Sequence, residues 1–171
     1  MNIVITGFMA SGKTEISKAI AKMSKYKLVD TDDMIVQKAG ISINEIFDKY
    51  GEKYFREMEY EAVCEASKND NTVIATGGGV VLNTKNIEKL RENGIIFNLS
   101  PDFDVICKRI EEARKTRPLM RNDSIEEIKK RFDDRKKFYD NCDYKIKVIN
   151  DRTPMSYAEE ILKIVEKEMG T

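Results

Sequence analysis

Short runs of apolar, often β-branched residues alternate along the chain with longer segments whose apolar positions recur every three or four residues. The short runs are typical of buried strands, and the longer segments have the period of amphipathic helices. The pattern predicts five strands, at Ile3–Thr6, Leu28–Val29, Val73–Ala75, Ile95–Leu99 and Tyr144–Val148. It predicts helices near 13–24, 33–39, 43–49, 53–67, 84–93, 102–113, 124–139 and 155–168.

Two capping boxes, Ser42 with Glu45 and Ser124 with Glu127, fix the starts of two of these helices. The alternation of strands and helices predicts an α/β fold: three α/β/α layers around a central five-stranded parallel sheet. The sequence contains no repeat, low-complexity tract or linker, so we expect residues 1–171 to form a single domain. Ligands of such folds collect at the carboxyl ends of the strands, where candidate residues are sought.

The first strand leads into GFMASGKT over residues 7–14, which is the G-x-x-x-x-G-K-T pattern of a P-loop. In a P-loop, successive backbone N–H groups surround a polyphosphate, and the following helix directs the positive end of its dipole at the same anion. Lys13 supplies positive charge to the outer phosphates, and the Thr14 hydroxyl is a ligand for Mg²⁺. The strand before the motif and the amphipathic helix after it argue against a simple turn. We expect the chain to bind a nucleoside triphosphate.

An acidic segment, Asp30-Thr31-Asp32-Asp33, follows the second strand. Acids at this edge of the sheet can hold Mg²⁺ through water and accept a proton from a hydroxyl substrate. The alternative is a cluster that caps a helix, because Asp is favoured at the N-cap and in the first turn. We assign that role to Asp33 and predict functional roles for Asp30 and Asp32.

Three consecutive glycines, Gly77, Gly78 and Gly79, follow the third strand. They suggest positive φ angles or a close approach of the backbone to a ligand, since a tight turn alone would need fewer glycines. We predict a substrate-contact loop. The third strand, unlike that of motor-type P-loop ATPases, carries no acid at its end.

Basic residues between two predicted helices form the next candidate. Arg114, Lys115 and Arg117 lie in a polar segment that Pro118 prevents from being helical. Such a loop can close over ATP, with one arginine neutralising charge on the transferred phosphoryl group. The alternative is a solvated loop.

Three further positions are ambiguous when taken singly. Arg56 and Arg135 each lie in a charged helix and could be surface residues paired with acids. The segment from Arg152 to Pro154 could pack on an adenine or could form only a turn with proline at the first helical position.

Composition narrows the classes of function. The 30 basic and 30 acidic residues give no net charge, which argues against a general nucleic-acid or membrane-surface binder. The absence of histidine requires any general base to be a carboxylate, a lysine or a tyrosine. No apolar run approaches the length of a membrane span, and we expect no signal peptide, a cytoplasmic location and a monomer.

Taken together, these motifs resemble the shikimate kinase family, P-loop enzymes that phosphorylate the 3-hydroxyl of shikimate. The resemblance extends over nearly the whole chain. It rests on the P-loop, Asp30-Thr31-Asp32, Ile46-Phe47, Gly51-Glu52, Phe55-Arg56, Glu59, Gly77–Gly79, Arg117-Pro118-Leu119, Arg135, Tyr139, Arg152 and Pro154.

The resemblance implies a small kinase for ATP and shikimate, with one Mg²⁺, a substrate-binding region near residues 31–60 and a mobile lid near 111–123. The catalytic residues that it implies are Lys13, Asp32 and Arg117. The implied ATP-binding residues are Ala10, Ser11, Gly12, Lys13, Thr14, Glu15, Arg117, Arg152 and Pro154. The implied substrate-binding residues are Asp32, Arg56, Gly77, Gly78, Gly79 and Arg135. Mg²⁺ would be held by Thr14 and, through water, by Asp30.

Two positions depart from the family pattern. The family usually has glycine where this chain has Ala10, and the added Cβ requires a backbone angle that alanine tolerates. An arginine is expected on the second side of the adenine. Arg109 is the candidate, although its spacing to Arg117 is one residue longer than expected.

Three alternatives remain at this point. The chain could be another small-molecule P-loop kinase, acting on gluconate or a nucleoside monophosphate. It could be a GTP-dependent switch, since residues 48–51 match D-x-x-G, although no N-K-x-D motif is present. It could also be an inactive relative, with Ala10 as the altered position.

Overall fold

The computed structural model of the protein describes residues 1–116 and 123–170. Its strands are β1 (Asn2–Gly7), β2 (Lys27–Asp30), β3 (Thr72–Ala75), β4 (Gly94–Pro101) and β5 (Tyr144–Val148). They form one sheet in the order β2-β3-β1-β4-β5, and every neighbouring pair is parallel. The predicted five-stranded parallel sheet is confirmed.

Seven α-helices connect and flank the strands within the described residues. They are α1 (Lys13–Met23), α2 (Thr31–Ala39), α3 (Ile43–Ser67), α4 (Thr84–Arg91), α5 (Phe103–Thr116), α6 (Ile125–Tyr139) and α7 (Pro154–Glu168). A short 3₁₀ helix, Val80–Leu82, which the sequence pattern did not predict, lies before α4. Both predicted serine N-caps are present, with the Glu45 N–H donating to Ser42 Oγ at 3.1 Å and the Glu127 N–H to Ser124 Oγ at 3.1 Å.

The sheet is covered by helices on both faces, which gives the predicted three layers. Successive residues of β1 point to opposite faces of the sheet. Ile3 and Ile5 pack in a cluster with α1 and α7. Val4 packs in a second cluster with α3, α4, α5 and α6. These three side chains are fully buried. Burying each such side chain stabilises the fold by roughly 1.5–3 kcal/mol. A third cluster, containing Ile35 and Phe55, joins α2 to α3.

Helix boundaries differ from the sequence pattern at several positions. Helix α2 begins at Thr31, two residues before its predicted start, because Asp30 rather than Asp33 caps it. The two helices predicted at 43–49 and 53–67 are confirmed: they follow each other directly within α3, where Gly51, at φ 82° and ψ 173°, makes a kink between them. Helix α5 continues to Thr116 rather than 113, so Arg114 and Lys115 are helical. Pro118 restricts the backbone of the residue directly before it, so it does not prevent Arg114 and Lys115 from being helical.

The fold brings the candidate segments to one edge of the sheet. Parallel β1, β2 and β3 end at the P-loop, at the acidic segment and at the glycine triplet, respectively. Within the described ranges, no helix is long and apolar enough to cross a membrane.

Candidate active site

The P-loop joins β1 to α1 in a conformation that needs two left-handed residues. Gly12 caps α1 at φ 96° and ψ 16°, and its cap has no side-chain hydrogen bond. The first N–H groups of α1 are therefore available to an anion. Ala10 also has a positive φ, of 59°. The Cβ at this position is accommodated as predicted, in a conformation that costs an L-residue roughly 1–2 kcal/mol.

Gly7 allows the loop to fold closely on itself. A Cβ at Gly7 would lie 2.6 Å from Oγ of Ser11, which is too close for any real contact. Ser11 is fully buried, and its N–H donates to the Phe8 carbonyl at 3.2 Å. Ser11 therefore supports the loop from within.

The Lys13 ammonium rests on its own loop, donating to the carbonyls of Gly7 at 2.7 Å and Phe8 at 3.0 Å. Burial lowers the pKa of Lys13 to about 8, and the nearby carboxylates of Asp32 and Asp30 act in the opposite direction. An arriving phosphate would raise the pKa of Lys13 again, because a nearby opposite charge favours the protonated form. Lys13 is thus a cation already placed at the site of the outer phosphates.

Asp30 both caps a helix and lines the cleft. Its Oδ1 accepts from the N–H groups of Asp32 at 2.8 Å and Asp33 at 3.2 Å, which caps α2. Its carboxylate also lines the same cleft as Lys13 and Thr14. The sequence offered two roles for Asp30, a helix cap and a functional acid. The two roles are compatible, because only one of the two carboxylate oxygens is used for the cap.

Asp32 lies in the first turn of α2 and faces the glycine triplet. Burial raises the pKa of its carboxyl group to about 6, and the charge of Asp30 adds to the rise, while Lys13 opposes it. A carboxylate with a pKa close to neutrality is suited to exchange a proton with a hydroxyl substrate.

Glycine is required at two positions of the triplet because side chains from other segments pack directly against its backbone. None of its residues has a positive φ, so that part of the prediction is wrong. Instead, a Cβ at Gly77 would lie 2.5 Å from Oδ1 of Asp32, and a Cβ at Gly79 would lie 2.4 Å from an Nη atom of Arg56. Protein side chains therefore occupy the space beside Gly77 and Gly79, and the predicted contact of this loop with a substrate stays a prediction.

The triplet is held at several points. Thr76 donates its hydroxyl to the Ile5 carbonyl at 2.8 Å, and the Gly77 N–H donates to Thr31 Oγ1 at 3.2 Å. The Tyr139 hydroxyl donates to the Gly78 carbonyl at 2.6 Å. The loop is therefore fixed to β1, α2 and α6 before any ligand binds.

Arg56 is oriented by an acid that is almost completely buried. Its guanidinium donates to Oε1 of Glu59 at 2.9 Å, and the Glu59 side chain is only 1% exposed. Glu52 is a second, more distant partner at 3.5 Å. Burial raises the pKa of Glu59, and the charge of Arg56 opposes this. Arg56 is therefore a fixed cation rather than the surface residue that the sequence alone allowed.

These groups line one cleft of about 380 Å³. Its predicted members are Lys13, Thr14, Asp30, Asp32, Arg56, Gly77, Gly78, Gly79 and Arg135. Sequence reasoning assigned no site role to other lining residues: Met9, Ile43, Phe47, Phe55, Glu59, Thr76 and Arg131. Arg131 precedes Arg135 by four residues on α6, and that spacing was the signal that could have identified it.

A second pocket, of about 320 Å³, lies on the other side of the P-loop. It is lined by Ala10, Gly12, Glu15, Ile16, Arg109, Arg152, Pro154 and Tyr157. Arg109 donates to the Ala10 carbonyl at 3.0 Å and lines the same pocket as Arg152 and Pro154, despite its unexpected spacing to Arg117. Ser11 lines neither cavity. Arg117, predicted to be catalytic, lies outside the described residues.

A P-loop between two pockets, with acids and guanidinium groups in one of them, defines a P-loop phosphotransferase with a small-molecule acceptor. The family model described as shikimate kinase matches residues 9–166. The chain belongs to the shikimate kinase family.

Individual relatives agree over nearly the whole length. A shikimate kinase from Caldicellulosiruptor bescii is 45% identical over 164 residues, which cover 95% of this chain and 94% of that protein. One from Caldanaerobacter subterraneus subsp. tengcongensis is 44% identical over 170 residues, or 99% and 98%. A shikimate kinase from Acinetobacter baumannii, solved in complex with shikimate, has a TM-score of 0.86 at 27% identity, covering 98% of this chain and 93% of that one.

The comparisons confirm the family, the fold and the kinase class predicted from the sequence. They favour this prediction over the gluconate kinase, the nucleoside monophosphate kinase and the GTP-dependent switch considered above.

Proposed function

We propose that this chain transfers the γ-phosphoryl group of MgATP to the 3-hydroxyl of shikimate, giving shikimate 3-phosphate and ADP. The observation that carries the proposal is the composition of the 380 Å³ cleft. A lysine at the phosphate end, a carboxylate with a raised pKa and three arginines meet there. These are the groups required by a phosphoryl donor, by hydroxyls and by a substrate carboxylate.

The acceptor would be held by Asp32, Arg56, Arg135 and the glycine triplet. Planar guanidinium groups bind a carboxylate through two parallel hydrogen bonds, which suits Arg56 and Arg135 to the acid group of shikimate. The Arg56–Glu59 ion pair supports this role because it fixes the guanidinium in advance. Asp32 would orient the attacking hydroxyl and accept its proton.

The donor would lie across the P-loop, with its phosphates between the two pockets. The adenine would lie between Arg109 and the Arg152–Pro154 segment. Arg152 is already fixed there by Glu160 and lies 4.1 Å from the Tyr157 ring centroid. Lys13 would stabilise charge on the transferring phosphoryl group, and we retain Arg117 as a second cation for this step. Residues 10–15 would bind the phosphates and ribose.

The site also fits one Mg²⁺ ion brought in with ATP. Thr14 and Asp30 offer hard oxygen ligands in the same cleft. The part of the chain that the structure describes contains no cluster of three acidic or thiol side chains that could form a cage for a metal. This suits Mg²⁺, which retains waters and uses few protein ligands. When bound, the ion would neutralise charge on the phosphates.

In the reaction, the shikimate hydroxyl oxygen forms a bond to the γ-phosphorus as the bond to the β–γ bridging oxygen breaks. The hydroxyl proton passes to Asp32, and ADP leaves with the bridging oxygen. Positioning and charge stabilisation account for most of the acceleration in such transfers. We further propose one kinase domain acting as a monomer. The cytoplasmic location stays a prediction.

The test is the release of ADP from MgATP by the purified protein, with and without shikimate. We expect a large shikimate-dependent rate that gluconate and nucleoside monophosphates do not produce. ATP binding without shikimate-dependent turnover would leave the P-loop assignment intact and refute the acceptor. An equal rate with GTP would contradict the adenine site only.

The pH dependence should reveal two ionisations. Asp32 acts when it is deprotonated, so kcat/KM for shikimate should fall as the pH drops through about 6. Lys13 acts when it is protonated, so kcat/KM for MgATP should fall as the pH rises through about 8. Since bound phosphates favour the charged lysine, the alkaline fall should be weaker in kcat. Profiles measured in buffers of constant ionic strength would show this, and an unchanged kcat/KM across both ranges would contradict it.

A further inference from the structure

Tyr139 is a buried residue behind the substrate cleft. It is the last residue of α6, is 7% exposed, and does not itself line the cleft. Its hydroxyl donates to the carbonyl of Gly78 at 2.6 Å. Because Gly78 lines the cleft, the phenol acts one step away from any bound acceptor.

Arg135, which lies one helical turn earlier on α6, meets the same glycine: a Cβ at Gly78 would lie 3.6 Å from Nη1 of Arg135. Burial raises the pKa of Tyr139 to about 12, and the positive charge of Arg135 acts in the opposite direction. The phenol therefore stays protonated at every physiological pH. The protonated phenol is the form that can donate to the Gly78 carbonyl.

The Tyr139 ring adds a contact with the phosphate side of the site. It meets the Phe8 ring edge-on, with 6.5 Å between centroids and an interplanar angle of 83°. Phe8 belongs to the P-loop, and its carbonyl accepts from Lys13. This ring contact involves no hydroxyl, so the hydroxyl and the ring can be separated by mutation.

We propose that the Tyr139 hydroxyl is a positioning group for the acceptor, because its bond to the Gly78 carbonyl holds that glycine beside the guanidinium of Arg135. Gly78 and Arg135 would both contact shikimate, and they come from segments 57 residues apart. Without the hydroxyl, Gly78 keeps its place in the fold but loses the bond that holds it beside Arg135. The inference rests on the proposed function. It predicts an effect on acceptor binding that the ATP site does not share.

The test is Tyr139→Phe, which removes the hydroxyl and keeps the ring against Phe8. We expect KM for shikimate to rise about tenfold, as for the loss of one hydrogen bond in a charged network. KM for ATP and kcat should stay within about twofold, because the P-loop contacts remain. Tyr144→Phe is the matched control: its hydroxyl bonds to Glu168 on α7, away from the cleft, and its removal should leave both KM values unchanged.

A double-mutant cycle with Arg135→Lys separates positioning from general support of the fold. If the phenol acts through Arg135, Tyr139→Phe should add little to the loss already caused by Arg135→Lys. Fully additive losses, an unchanged shikimate KM, or equal rises in both KM values with a lower Tm would each overturn the proposal. An unmutated protein that does not phosphorylate shikimate would instead refute the proposed function.

Discussion

Replacing Asp32 with asparagine is expected to lower kcat by at least about 100-fold, as for the loss of a general base of ordinary strength. The amide keeps the size of the side chain, so the packing against Gly77 is preserved, but it cannot accept a proton. KM for ATP should change little, because the P-loop is unaltered. Steady-state rates with saturating shikimate measure the effect, and the acidic fall in kcat/KM should disappear in the same variant.

The matched control is Asp33→Asn, the next residue on the same turn of α2, which is exposed and outside the cleft. It removes the same charge from the same helix terminus, so it reproduces any effect on the helix dipole. Near-normal turnover in the Asp32 variant would remove that carboxylate from the mechanism. Equal losses in both variants would point to helix stability instead.

Replacing Gly79 with alanine should lower kcat/KM for shikimate by roughly 100-fold, because the new methyl group would disrupt the ion pair between Arg56 and the buried Glu59. The added Cβ would meet the guanidinium of Arg56 at 2.4 and 2.7 Å from its two terminal nitrogens. The guanidinium of Arg56 must then shift, which weakens its bond to the buried Glu59 carboxylate. The free energy of unfolding should fall as well, and KM for ATP should not change. Steady-state kinetics and thermal unfolding report the two effects.

The clash can be tested with the double variant of Gly79→Ala and Arg56→Lys. Lysine lacks the terminal fork that the new methyl group would meet, so Gly79→Ala should cost much less in that background than in the unaltered chain. An equal cost in both backgrounds would mean that the methyl group disturbs the loop itself, or the bound acceptor, rather than Arg56.

The fold and the position of the site could be predicted because both depend on local patterns. Strand and helix periods gave the sheet, and the rule that ligands collect at carboxyl ends of strands placed Asp32 opposite the P-loop. The motif of residues 7–14 needed no tertiary information, because its glycines and Lys13 act on one ligand through neighbouring backbone.

The reasons for individual residues were harder to predict, because they depend on contacts between distant segments. The glycine triplet is small on account of Asp32 and Arg56, which no spacing within the triplet reveals. The spacing of Arg56 and Glu59 was visible, but not the burial of Glu59 against the rest of the site. The spacing between Arg109 and Arg117 argues against Arg109 as an adenine-site residue. Its position depends instead on the direction of its side chain, which extends from α5 toward Ala10.

The strand order carries a consequence for how the molecule is assembled. Among the strands that the structure describes, β2 pairs only with β3, and β3 separates it from β1. A nascent chain that stops before residue 72 therefore holds the P-loop and the acidic segment without the strand that brings them side by side. The two parts of the site made first along the chain become neighbours only when β3 docks between them. The same docking step delivers the glycine triplet, so the P-loop, the acidic segment and the triplet come together in a single event.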